Sequence, residues 1–130
     1  MTELRVYFED TDAGGIVYYA NYLKYLERAR SDYLRERGLS VRDLQERGYH
    51  IPVIHLEIDY RSPALLEDLL RVETAVLEIT HATFTLAQQV VRVADGKLLA
   101  DARVTLACIG PGNKVRRLPK ELIEVIEKDR

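Results

Sequence analysis

The sequence predicts an α+β fold in which an antiparallel sheet curves around one long helix. The stretch Tyr18–Arg37 has the apolar period of a helix, whereas the chain from His50 to Cys108 has the period of two that marks strands. Tight turns separate these strands, and strands that follow one another through tight turns pair antiparallel. A helix with one apolar stripe buries that stripe only against one face of such a sheet.

The first part of the chain supplies a short strand and two helices. Leu4–Phe8 is predicted as the strand. The apolar stripe of the long helix consists of Tyr22, Leu26, Ala29 and Tyr33. Gly38 ends this helix, because glycine accepts the left-handed conformation found after a helix. Ser40 begins a short helix that closes near Gly48.

The second part of the chain supplies the long strands. The first long strand follows His50, and one of its faces carries Ile54, Leu56, Ile58 and Tyr60. Leu70–Ile79 and Thr83–Val93 follow, and Asp95-Gly96 is a strong hairpin signal. The last strand places on one face Ala100, Ala102, Val104, Leu106 and Cys108. Pro119 suits the first turn of a terminal helix.

Composition indicates an ordinary globular chain. With 130 residues, 47% hydrophobic and 31% charged, we expect one domain spanning residues 1–130. A net charge of −2 does not favour a nucleic-acid partner. No apolar run reaches the roughly 20 residues of a membrane span, so we expect no integral membrane association. The single Cys108 excludes an internal disulfide and, with no signal-peptide pattern, suggests the cytoplasm.

The segment between the first strand and the long helix is the most informative one. It places Asp10 and Asp12 before the pair Gly14-Gly15, which releases the chain into the helical pattern. A helix N-terminus presents unpaired N–H groups and a partial positive charge. An acid just before it can act on an electrophile that those N–H groups polarise. Acids near helix starts are also common as caps, so the spacing by itself leaves both roles open.

The run Tyr7–Tyr18 resembles the opening motif of hot-dog thioesterases, in the branch of the 4-hydroxybenzoyl-CoA thioesterases and the YbgC-type acyl-CoA thioesterases. The resemblance continues at Asn21-Tyr22, Leu26–Arg30, Ile58–Tyr60, Pro63-Ala64, Asp68, Ala102–Val104 and Arg117–Pro119. It implies a hot-dog fold, an acyl-CoA substrate or an acyl-carrier protein, and no metal or organic cofactor. It also implies a homo-oligomer, a dimer with a continuous sheet or a dimer of dimers (a homotetramer), with active sites at the subunit interface.

The resemblance also assigns roles within the segment. The second acid of the pair, Asp12, is the implied catalytic carboxylate, either as general base or as nucleophile, and Asp10 supports the loop. The backbone amide of Tyr19 is the implied donor to the thioester carbonyl. YbgC-type proteins often carry histidine at the position of Tyr19, but the backbone donor survives that change. The implied substrate contacts are Gly14, Gly15, Ile16, Val17, Tyr18 and Asn21.

Other candidate residues carry weaker signals. A helix acid is the catalyst in a different hot-dog branch, but Arg30 lies three residues after Glu27 and favours a surface ion pair. The three histidines lack metal-ligand spacing, so we predict no metal site. The basic cluster of Lys114, Arg116 and Arg117 can hold phosphates or simply be solvated.

The predicted function is therefore hydrolysis of acyl-CoA thioesters with short aliphatic or aromatic acyl groups. The alternative is a non-catalytic module that binds acyl-CoA or acyl-carrier protein, or that joins an envelope complex. A hot-dog dehydratase would need a histidine at the helix start, and this chain has none there.

Overall fold

One long helix lies against one face of an antiparallel sheet, as the sequence predicts. The computed structural model describes all residues, Met1–Arg130. The elements in chain order are β1 (Thr2–Arg5), α1 (Tyr22–Glu36), α2 (Val41–Glu46), β2 (Val53–Tyr60), β3 (Leu69–Ile79), β4 (Thr83–Arg92), β5 (Leu98–Ala107) and α3 (Lys120–Lys128). The five strands form one sheet in the order β1-β3-β4-β5-β2, and every neighbouring pair is antiparallel. No helix combines the length and the apolarity needed to cross a membrane.

The helix α1 buries the predicted stripe against the sheet. The stripe residues are all buried, and so are Tyr25 and Leu34. They join one hydrophobic cluster with the inward-facing side chains of β3, β4 and β5. A fully buried leucine such as Leu26 stabilises the fold by about 1.5–3 kcal/mol, so this stripe fixes the helix on the sheet.

A buried glutamine ties α1 to the middle of the sheet. Gln88 is 0% exposed, and its amide nitrogen donates to the carbonyl of Leu26 at 3.0 Å and to Thr74 Oγ1 at 3.1 Å. Its amide oxygen accepts from Arg30 Nη1 at 3.1 Å. Because a buried polar group without a partner costs about 1–3 kcal/mol, this satisfied network favours one position of the helix.

The predicted ion pair between Glu27 and Arg30 is wrong. Arg30 is partly buried and turns toward Gln88, whereas Glu27 accepts a hydrogen bond from Ser31 Oγ at 2.9 Å. Burial lowers the pKa of Arg30. The helical spacing of three residues permitted the pair, but the sheet offers the guanidinium an amide acceptor that a helix taken by itself does not have.

Three predicted boundaries shift. The first strand ends at Arg5 rather than Phe8, and Phe8–Asp10 forms a single 3₁₀ turn. The α-helix begins at Tyr22, preceded by a second 3₁₀ turn over Tyr19–Asn21, rather than at Tyr18. Pro119 caps the terminal helix from just outside its first turn. The two 3₁₀ turns flank the segment that the sequence singled out.

The strand β2 forms a long edge of the sheet. It pairs only with β5, so its outer N–H and C=O groups have no partner within the chain. On its predicted apolar face Leu56 and Ile58 pack against the core, but Ile54 is 58% and Tyr60 44% exposed. A long, partly apolar edge is a surface that proteins usually cover.

Candidate active site

The segment between β1 and α1 folds back on itself as a small hairpin. Thr11 and Val17 form an antiparallel bridge, and the amide of Tyr18 donates to the carbonyl of Asp10 at 2.9 Å. The end of this hairpin continues directly into the 3₁₀ turn before α1. The hairpin therefore carries the two acids to the start of the helix.

Asp12 lies at the tip of this hairpin. Its amide donates to the carbonyl of Ile16 at 2.9 Å, and its carbonyl accepts from Gly15 at 3.0 Å. Gly15 has φ +77°, a conformation in which a side chain is strained. Asp12 Oδ1 accepts from the amide of Gly14 at 2.8 Å, whereas Oδ2 accepts no hydrogen bond within the chain. The tip thus holds an exposed carboxylate with one oxygen fixed and one free.

Gly14 lies close against this carboxylate. A Cβ atom built on Gly14 would lie 3.3 Å from Asp12 Oδ1. A contact of that length is tighter than nine in ten real Cβ contacts, so any larger residue would require the carboxylate to shift by a few tenths of an ångström. The two glycines therefore have separate purposes, a close approach at Gly14 and a left-handed turn at Gly15.

Asp10 is fully engaged in holding the hairpin. Its Oδ2 accepts from the amide of Tyr7 and its Oδ1 from Asn21 Nδ2, both at 2.8 Å. Asn21 is the residue before α1, and its side chain bonds to Asp10 instead of capping the helix. The supporting position that the resemblance implies for Asp10 agrees with these contacts.

The turn before α1 presents two backbone N–H groups without an acceptor. Neither Tyr19 nor Ala20 donates its amide hydrogen to any group of the chain, while the amide of Asn21 donates to Tyr18 at 2.8 Å. Tyr18 and Tyr19 are 49% and 62% exposed, and their ring centroids lie 4.9 Å apart. Adjacent free N–H groups at a helix start can donate to an anionic oxygen.

The loop after β2 holds the hairpin in place from the other side. The amide of Val17 donates to the carbonyl of Ala64 at 2.9 Å, and the amide of Ala64 donates to Tyr22 Oη at 3.1 Å. Ile16 forms a bridge with Leu65. The side chain of Val17 is buried in the core, so only its backbone faces the hairpin surface.

An ion pair fixes that loop. Asp68 Oδ2 accepts from Arg92 Nε at 3.0 Å and from the amide of Leu65 at 2.9 Å. Arg92 also donates to the carbonyl of Pro63 at 2.9 Å and to Asp95 at 3.1 Å. Sequence reasoning included Asp68 in the resemblance without a role and missed Arg92. The pairing joins residues 24 positions apart, which no local pattern reveals.

Tyr60 also contacts the turn, and sequence reasoning missed this too. Its hydroxyl donates to the carbonyl of Tyr19 at 2.8 Å. Its ring centroid lies 6.3 Å from the ring of Tyr19 and 5.2 Å from that of Tyr22, edge-on in both cases. The sequence signals for Tyr60 were its placement on the apolar face of a strand and its inclusion, without a role, in the resemblance at Ile58–Tyr60.

The remaining candidate residues lie away from the hairpin. A cavity of about 120 Å³ opens beside the second half of α1, where Glu27 and Arg30 are among its lining residues. Arg116 of the basic cluster stacks 3.9 Å from the ring centre of Tyr49 and donates to the carbonyl of Gly48 at 3.3 Å. No group of three or more His, Cys, Asp or Glu side chains lies close enough to hold a metal ion.

Comparison with known proteins places the chain in a family. The model of the thioesterase-like superfamily matches residues 6–126. The acyl-CoA thioesterase YbgC of Haemophilus influenzae is 44% identical over 92% of this chain and 88% of that protein. The acyl-CoA thioester hydrolase YbgC of Escherichia coli is 36% identical over 92% of this chain and 90% of that protein.

Solved structures show the same architecture. The 1,4-dihydroxy-2-naphthoyl-CoA thioesterase of Synechocystis superposes with a TM-score of 0.90 at 28% identity, over 96% of this chain and 93% of that one. The predicted α+β hot-dog fold is thereby confirmed. By its sequence and its fold, this chain belongs to the thioesterase-like superfamily, among the YbgC-type thioesterases.

Proposed function

We propose that this protein hydrolyses acyl-CoA thioesters and that Asp12 is its catalytic carboxylate. The observation that carries the proposal is the hairpin tip, where an exposed carboxylate with one free oxygen lies on the same short segment as two free backbone N–H groups. The curated relatives at 44% and 36% identity are named as an acyl-CoA thioesterase and an acyl-CoA thioester hydrolase, which supports the reaction type.

The chemistry follows from these two features. Asp12 Oδ2 takes a proton from a water molecule as that water attacks the thioester carbonyl carbon, and the carbonyl oxygen becomes an oxyanion. The N–H groups of Tyr19 and Ala20 donate to this oxyanion, and loss of one such donor costs about 10²–10³ in rate in other enzymes. Collapse of the intermediate breaks the C–S bond, and the proton held by Asp12 passes to the CoA thiolate. In the covalent variant Asp12 attacks the thioester carbonyl carbon directly, and the C–S bond breaks to release the CoA thiolate. Water then cleaves the resulting anhydride, which restores the Asp12 carboxylate and frees the acid, and a proton from that water passes to the thiolate.

The exposed rings around the hairpin support acyl groups that are short or aromatic. Tyr18, Tyr19 and Tyr60 are each more than 40% exposed beside the free N–H groups. Flat rings of this kind stack with an aromatic acyl group, and their apolar area also suits a short aliphatic one. The Synechocystis relative is named for an aromatic acyl-CoA, which agrees with this preference.

The test is release of free thiol from a panel of acetyl-, butyryl-, benzoyl- and decanoyl-CoA. Cys108, the one cysteine, is 0% exposed, so a thiol reagent reports the released CoA. We expect turnover by the wild-type protein and a loss of about 10² or more in Asp12→Asn, the contribution of a general base. Glu9→Gln changes an exposed acid of the same segment and should leave turnover unchanged.

Two results would overturn this assignment. Equal turnover by wild-type protein and Asp12→Asn, at equal melting temperature, would remove Asp12 from the mechanism. Binding of acyl-CoA without thiol release across the panel would favour the non-catalytic module instead. A burst of thiol equal to the number of subunits in the first turnover would identify the covalent route.

We further propose that a second copy of the chain covers β2. The outer edge of this eight-residue strand has free N–H and C=O groups, and Val53, Ile54 and Tyr60 are each more than 40% exposed along it. Antiparallel pairing of two such edges would satisfy these groups and form one continuous sheet. Sedimentation equilibrium should give a mass of twice the 15.0 kDa chain, or four times if dimers pair again.

A further inference from the structure

The peptide group between Tyr19 and Ala20 is held from outside the hairpin. Its carbonyl, on Tyr19, accepts the hydroxyl hydrogen of Tyr60 at 2.8 Å. Its N–H, on Ala20, is one of the two free donors. A trans peptide is planar, so its C=O and N–H point in opposite directions and turn together. The bond from Tyr60 therefore sets the direction in which the Ala20 N–H points.

The position of the Tyr60 hydroxyl is fixed by the sheet. Tyr60 is the last residue of β2 and pairs with Ala100 on β5, whose side chain is 0% exposed. Its ring packs edge-on against the ring of Tyr22, which is 2% exposed and anchored at Ala64. Two chain segments 41 residues apart are thus joined by one hydrogen bond at the point where the free N–H groups begin.

Building on the proposed thioester hydrolysis, we infer that Tyr60 is a positioning residue that orients the Ala20 N–H toward the carbonyl oxygen of the acyl-CoA. Tyr60 itself transfers no proton in this role, since its hydroxyl hydrogen is engaged with the Tyr19 carbonyl. Partial burial and the neighbouring Tyr22 and Tyr19 raise the pKa of Tyr60. The hydroxyl accordingly remains a donor throughout the pH range in which a carboxylate acts as base.

The inference predicts a specific kinetic pattern for Tyr60→Phe. The ring and its edge-on packing stay, and one hydrogen bond is lost. Because a donor aimed at the oxyanion acts on the transition state, kcat should fall by about 2- to 10-fold, the range of one ordinary hydrogen bond, while KM changes by less than about two-fold. The pH profile should keep its shape, because no titrating group has been removed.

Tyr49→Phe is the matched control. Tyr49 is also partly buried and its hydroxyl makes no hydrogen bond within the chain, so its removal should leave kcat unchanged. The melting temperature of Tyr49→Phe should match the wild type within about 2 °C, and that of Tyr60→Phe should fall by no more than about 6 °C, as the loss of one hydrogen bond implies. Tyr60→Leu removes the ring as well and should lower kcat further, which separates the hydroxyl from the packing.

A second readout does not depend on catalysis. In a ¹H–¹⁵N NMR spectrum, Tyr60→Phe should move the amide signals of Tyr19 and Ala20 strongly and leave that of Val104, in the sheet, unmoved. If the wild type shows no thioesterase activity, these shifts still decide whether Tyr60 orients the turn. Unmoved Tyr19 and Ala20 signals would overturn the inference. So would an unchanged kcat, or a loss in kcat matched by Tyr49→Phe.

Discussion

Replacing Asp68 with alanine should loosen the loop after β2, which holds the hairpin, and should lower the free energy of unfolding of the whole chain. The side chains of Asp68 and Arg92 are only 19% and 17% exposed, and Asp68 accepts two hydrogen bonds, from Arg92 and from the amide of Leu65. Each hydrogen bond to a charged group contributes about 1.5–3 kcal/mol. Arg92 keeps Asp95 and the Pro63 carbonyl as partners, so its charge is not left unpaired. Two such bonds would sum to about 3–6 kcal/mol if fully buried, but both side chains keep some contact with water, which replaces part of what is lost. We therefore expect a loss of about 2–3 kcal/mol in the free energy of unfolding.

Urea titration followed by circular dichroism measures this loss directly. A chain of 130 residues has an unfolding entropy of about 0.27 kcal/mol per kelvin, so the melting temperature should fall by about 9 °C. Asp68→Asn keeps an acceptor for the Leu65 amide and should lose about 1 kcal/mol, roughly the ionic share. The control is Asp59→Ala, whose carboxylate is 78% exposed and lies 3.9 Å from Arg61, and it should cost less than about 0.5 kcal/mol.

Hydrogen exchange locates the same effect. The amide of Val17 is held by the Ala64 carbonyl, so Asp68→Ala should speed its exchange more than that of Val104 in the sheet. A loss of less than about 1 kcal/mol, or one equal to that of Asp59→Ala, would refute the reasoning. If amide exchange speeds up equally at Val17 and Val104, Asp68 stabilises the whole chain and not the hairpin in particular.

Two further predictions concern the C-terminus and the free edge. The hydroxyl of Tyr33, and then the guanidinium of Arg37, lower the pKa of Asp129 below its ordinary value of 3.8, so the folded state favours the charged carboxylate. This stabilisation is present above pH 4 and disappears as the pH falls through the lowered pKa, so the difference in unfolding free energy between wild type and Asp129→Asn should shrink below about pH 4. Ile54→Lys places a charge on the edge of β2 and should shift the sedimentation mass toward that of the single chain. Val41→Lys, an exposed position on α2, is the control and should leave the mass unchanged. If Ile54→Lys also leaves the mass unchanged, the interface lies elsewhere.

The order of elements could be predicted because it is encoded locally. Tyr22, Leu26 and Ala29 recur at helical spacing, and β5 alternates from Ala100 to Leu106, so each element shows its buried face in a short window. Gly38 and Gly96 have φ of +83° and +69°, as turns at those positions require. Only the boundaries moved, since 3₁₀ turns at Phe8 and Tyr19 leave no periodic signature of their own.

The candidate site was predicted only in part. The pair of acids and the pair of glycines could be located in the sequence, and the resemblance favoured Asp12 over Asp10. The hydrogen bonds of Asp10 to Tyr7 and Asn21 agree with a supporting role for it. The role of Asp12 in chemistry stays a proposal until the Asp12→Asn experiment is done.

What the sequence by itself determined is the fold and the segment on which the two acids lie. Periodicity and turn residues act over a few positions, so they can be deduced from neighbours along the chain. The tertiary structure decided which side chains meet: Tyr60 with the Tyr19 carbonyl, Arg92 with Asp68, and Arg30 with Gln88 rather than with Glu27. The register of the strands and the direction of each side chain bring these distant groups together, and neither is set by local spacing.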